Sequence, residues 1–142
     1  MSGFEAFLRH NTVGAKGALF APSSRFLDDE GNPVEWEIRA ACAGQDELIR
    51  RECLKRIPLP GSNGSFSVET DFDLYLGRLA AFCTVFPNLG DAALQQSYGV
   101  MGTDALLKAM LLPGEYAEYL RRVQEVNGFD VNFADEVDAA KK

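Results

Sequence analysis

Basic side chains are scarce in this sequence. Lysine and arginine number 14 against 21 aspartates and glutamates, a formal charge of −7 over 142 residues. Proteins that grip nucleic acid neutralise phosphates with a surplus of Lys and Arg on one face, so a nucleic-acid partner is not expected. Long apolar runs are also missing. No stretch approaches the roughly 18 apolar residues of a membrane-spanning helix. The start, Met1-Ser2-Gly3-Phe4-Glu5, lacks the basic opening and apolar run of a signal peptide. The expectation is a chain that works in the cytoplasm with no membrane partner. Histidine occurs once, at His10, which excludes two-histidine metal sites within the chain. Three cysteines, Cys42, Cys53 and Cys83, contain no CxxC pair, and their odd number leaves at least one free thiol. They read as small buried hydrophobes in a reducing compartment.

What is present suffices for one core. A hydrophobic fraction of 46% with 11% aromatics matches a single domain of ordinary size, since a chain this long buries roughly 68–70% of its unfolded surface. Phe4, Phe7 and Leu8 form a short helical stripe that Gly14, Gly17 and Pro22 cut off, so residues 1–22 read as a mobile arm with a sticky face. Val34, Trp36, Ile38 and Ala40 alternate with Glu35, Glu37, Arg39 and Ala41, the period of a strand with one wet face. Together with Arg25-Phe26-Leu27 and the turn formers Asp28 to Pro33, this predicts a β-hairpin over roughly 23–42.

Helices are expected afterwards. Residues 46–56 hold three acid-before-base pairs at i, i+4: Asp46 with Arg50, Glu47 with Arg51, Glu52 with Arg56. Residues 57–69 read as a loop, with Asn63-Gly64 able to turn a small hairpin between 57–59 and 66–68. Phe72, Tyr75, Leu76, Leu79, Phe82, Cys83 and Phe86 mark one face of a central helix that Pro87 stops. Further helices are predicted over 91–98, 103–112 and 115–127, with Gly128 past the last end. The fold class is α+β: an N-terminal β-hairpin packed on a mainly α-helical domain of about five helices. That domain would cover 23–130, leaving 131–142 as an acidic C-terminal tail.

Few constellations carry chemistry. Asp28-Asp29-Glu30 fails as a calcium loop, because the sixth and twelfth positions counted from Asp28 are Pro33 and Arg39. Gly61 to Gly64 and Gly99 to Gly102 lack the lysine and spacing of a phosphate loop. A cysteine nucleophile would need His10 as its base, and His10 sits on the arm. No enzyme, metal or cofactor is expected. The dense cluster Tyr98, Met101, Leu106, Leu107, Met110, Leu111 and Leu112 reads first as helix–helix packing. Its methionine and aromatic side chains also suit an adaptable surface for an apolar partner helix. The partner-binding residues singled out are Tyr98, Met101, Leu107, Met110, Leu111 and Tyr116.

Several strings resemble the XkdN-like family of phage tail assembly chaperones. They are Arg25 through Ala40, Phe86-Pro87-Asn88-Leu89, Asp91-Ala92-Ala93-Leu94-Gln95, Ser97 through Gly102, Met110 through Tyr116, and Asn127-Gly128-Phe129-Asp130. Together they span about residues 25–130, and their order and spacing are more specific than any one string. The resemblance implies a phage, prophage or tail-like particle with a contractile tail, and a chaperone that coats the tape-measure protein during tail assembly. It also implies work in the cytoplasm of the bacterial host and absence from the finished particle. The tail-tube protein and self-association are secondary partner candidates, and a small structural part of tail or baseplate is the alternative function. Lys141-Lys142 can be encoded by an A-rich run, so a frameshifted longer form is a further expectation.

Overall fold

Trp36-Glu37-Ile38 forms the middle strand of a three-stranded antiparallel sheet in a computed structural model of the chain, which describes residues 3–10, 12–61 and 63–129. The strand alternation holds: Trp36 and Ile38 are buried and Glu37 is exposed. Its first partner is β1, Ala18–Phe20, with Phe20 opposite Trp36 and Ala18 opposite Ile38, so the middle strand is β2. The hairpin is therefore wider than 23–42. Residues 18–20, placed in the arm by the sequence reading, carry its first strand, while Phe26 and Leu27 lie in the connection. That connection is pinched by a bridge between Leu27 and Pro33. Before β1, a 3-10 helix at Gly3–Phe7 buries no side chain.

Helix α1 spans Ala43–Arg51, three residues earlier at its start than expected and five shorter at its end. The start follows from Gln45, whose side-chain oxygen accepts the Cys42 N–H at 3.0 Å. The end falls where the chain turns into a strand: the Cys53 carbonyl accepts the Asp71 N–H at 2.6 Å and Leu54 pairs with Thr70. Leu54–Pro58 instead forms β3, antiparallel to β4, Phe66–Thr70. The segment expected as a loop is thus a full hairpin, longer than the small one considered. Two of the acid–base pairs form, Asp46–Arg50 at 3.0 Å and Glu47–Arg51 at 2.6 Å. The third does not, because Arg56 lies in a strand and Glu52 faces Arg78 at 3.5 Å instead.

Helix α2, Phe72–Cys83, is the central core helix, started by the Asp71 carboxylate accepting the Leu74 N–H at 3.3 Å. It ends three residues before the expected stop. Thr84–Phe86 becomes β5 and pairs with the second edge of β2, Ile38 opposite Thr84 and Glu37 opposite Phe86. Two β-branched residues, Thr84 and Val85, favour that edge over another helical turn. Helices α3 (Ala92–Ser97), α4 (Thr103–Met110) and α5 (Pro113–Val126) follow. The last starts two residues early because Pro113 suits a first helical turn. The tail 131–142 and Lys141-Lys142 lie outside the described residues.

The core forms where the sheet meets α2, α4 and α5. Tyr119 is its hinge: Trp36 meets it edge-on with ring centroids 5.3 Å apart, and Phe20 stacks at 6.4 Å. The Thr84 hydroxyl gives its proton to the Ala80 carbonyl at 2.7 Å, so the Tyr119 hydroxyl donates to Thr84 Oγ1 at 2.6 Å. Burial pushes the Tyr119 phenol up to about 12, which keeps that proton in place. On the other side of α2, the Tyr75 hydroxyl donates to the Asp46 carboxylate, and Arg50 lies 4.5 Å over the Tyr75 ring. These contacts fasten α1 to α2.

Candidate functional site

The α3–α5 region holds the cluster singled out from the sequence, and the fold divides it. Leu106, Leu107, Met110 and Leu111 are core residues, packed with Leu79 and Val123. Tyr116 is partly buried against that core. Met101 is 92% exposed, Leu112 54% and Tyr98 38%. Of the six residues proposed for a partner, only Tyr98 and Met101 stand at the surface.

Gln95 presents them. Its side-chain nitrogen donates to the Leu89 carbonyl at 2.8 Å, and its side-chain oxygen accepts the Gly102 N–H at 3.1 Å. The Gln95 backbone carbonyl also accepts the Val100 N–H at 3.1 Å, so one residue holds the chain on both sides of Met101. Gly99 and Gly102 have φ of +67° and +104°, a conformation that side chains resist, so this turn needs glycine at both places. Held this way, Met101 points away from the core between two fixed glycines.

The next junction, between α4 and α5, is fixed by charge. Glu115 accepts the Leu112 N–H at 2.8 Å and the Arg25 guanidinium at 2.8 Å. The same Arg25 nitrogen donates to the Met110 carbonyl at 2.8 Å. Arg25 and the Leu112 N–H hold the Glu115 carboxyl down at about 2. The connection after β1 is thereby tied to the turn that exposes Leu112. Nothing in the local pattern around Arg25 marks a partner 90 positions away, so sequence reading missed this clamp.

Other sequence candidates serve as structure. The Asp28 carboxylate accepts the N–H groups of Glu30 and Asn32, both at 2.9 Å, and so closes the turn that looked like a cation loop. No group of three or more metal-ligating side chains occurs among the described residues. Cys53 and Cys83 are buried, and burial pushes both thiols up, which makes them poor nucleophiles. Cys42 is exposed. Among the described residues no helix is long and apolar enough to cross a membrane.

The structure is an α+β domain, a three-stranded sheet capped by helices, with apolar side chains left at its surface. The chain belongs to the phage XkdN-like tail assembly chaperone family, whose model matches residues 4–141. It is 30% identical to the uncharacterised protein YqbN of Bacillus subtilis (strain 168) over 136 residues, covering 95% of this chain and 90% of that protein. The phage-like element PBSX protein XkdN of the same strain is 24% identical over 137 residues, with the same coverage. The crystal structure of YqbN superposes with a TM-score of 0.76 at 26% identity, covering 92% of this chain and 99% of that one. The α+β fold and the family expected from the sequence are therefore shown.

Proposed function

We propose that this chaperone binds the tape-measure protein of its phage or prophage in the host cytoplasm and keeps it soluble until the tail tube polymerises around it. The observation that carries this reading is the exposure of Met101 at 92% on a turn that Gln95 holds on both sides, its backbone carbonyl accepting the Val100 N–H and its side-chain oxygen the Gly102 N–H. A large apolar side chain held outward by the hydrogen bonds of its neighbours is a contact in waiting, and methionine adapts to many apolar surfaces. Tyr98 and Leu112 add to it. Leu107, Met110 and Leu111 belong to the core, and Tyr116 is partly buried against it. The net charge of −7 keeps loaded complexes apart.

Pull-down of the tape-measure protein with the tagged chaperone tests the reading. The wild type is expected to retain it, and M101S to retain about tenfold less. Mass spectrometry of purified particles then separates transient from structural binding. A chaperone is absent from them, whereas stoichiometric presence supports a tail or baseplate component instead.

A further inference from the structure

The β3–β4 hairpin stands off the core, and its register sorts its side chains. Residues directly opposite in an antiparallel pair point to the same face. Leu54 with Thr70, Arg56 with Val68, and Pro58 with Phe66 share one face; Lys55 with Glu69 and Ile57 with Ser67 share the other. Leu54, Val68 and Phe66 are 53%, 55% and 44% exposed. The one charged group on that face is Arg56, its guanidinium 4.5 Å from the Phe66 ring centroid. The hairpin is anchored at its base, where Cys53 is buried and its carbonyl accepts the Asp71 N–H at 2.6 Å.

Two strands alone are marginal in water and are completed by another strand or by a helix on the apolar face. We propose that this face is a second client site, seating a short amphipathic helical stretch of the tape-measure chain with a carboxylate opposite Arg56. The proposal rests on the tape-measure reading above. From Leu54 to Pro58 the face runs four residue steps, about 14 Å at ~3.4 Å each. That length matches roughly nine helical residues at ~1.5 Å each, enough for anchors at i, i+3 or i+4, and i+7. Charge selects a foreign helix over a second copy. Stacking this face on itself brings two Arg56 residues, which sit at its middle, into one interface, and both chains carry −7. A carboxylate on the client instead gains a charge-assisted contact with Arg56.

The test compares four full-length chaperones, wild type, F66S/V68S, R56E and M101S, in pull-down of the co-expressed tape-measure protein. Circular dichroism and thermal melting establish that each is folded. If F66S/V68S and R56E each retain about tenfold less client than wild type, the hairpin site stands. Full retention by both overturns it and leaves the tape-measure reading intact. Failure of the wild type to retain client overturns both. Two alternatives for the occupant have their own signatures, and either overturns the proposal. A second copy gives a wild-type dimer in light scattering that F66S/V68S abolishes. Strand addition slows amide exchange along the open edge of β4 on client binding, whereas a helix on the face leaves that edge exchanging.

Discussion

At the scale of single residues, two contacts make sharp predictions. Gly77 sits inside α2, where a Cβ would lie 2.7 Å from the Tyr116 hydroxyl oxygen. That hydroxyl is buried and has no hydrogen-bond partner among the described residues. Alanine at 77 gains roughly 1 kcal/mol of helix propensity but overpacks the α2–α5 contact, at a cost of about 1–3 kcal/mol. G77A is expected to lower the melting temperature. In a Y116F background the obstructing oxygen is gone, so the same substitution is expected to raise it; two independent, additive effects would contradict this. Glu115 gives a pH signature. Its carboxyl is held at about 2 in the fold against an ordinary 4.5, so its contribution is fully present above pH 4.5 and is lost as pH falls toward 2. Melting curves of wild type and E115Q are expected to differ at neutral pH and to converge in acid. A gap that stays constant down to pH 2 would show that the Arg25–Glu115 clamp is not what Glu115 supplies.

At the scale of elements, legibility followed the reach of the interaction. The strand at Trp36–Ile38 and the helix from Phe72 were readable because alternation and helical spacing are local signals. Asp91 was readable as the start of α3, and its carboxylate does accept the Leu94 N–H at 2.9 Å. Replacing it with alanine is expected to cost about 1 kcal/mol, measured by urea unfolding, while a neutral result would mean that Gln95 alone orders this turn. Residues 84–86 were misread because the apolar stripe of α2 runs on to Phe86, and only the free edge of β2, 46 or more positions earlier, turns them into a strand. The extension of β3 back to Leu54 was hidden in a similar way. Glu52 and Arg56 are spaced for a helix, and tertiary pairing with β4 overrode that weak local preference.

At the scale of the whole molecule, one cluster serves two ends. Leu106, Leu107, Met110 and Leu111 close the core, and Met101 a few residues away is left outside it. Helical spacing named the stripe without showing which part the sheet and α2 would cover, so three of the six proposed partner residues proved internal. The division predicts opposite phenotypes. L107A empties a fully buried site and is expected to cost about 2–5 kcal/mol of stability. M101A is expected to change stability by no more than about 0.5 kcal/mol while weakening client binding. Equal losses of stability would contradict the division.

The central claim is that apolar side chains held outward by a rigid frame shelter a long apolar client. Its most direct measurement is the fraction of tape-measure protein left in the supernatant after expression with and without this chaperone. The account predicts a largely insoluble client alone, a largely soluble one with the wild type, and an intermediate fraction with M101S. A client equally soluble in all three cases would contradict it.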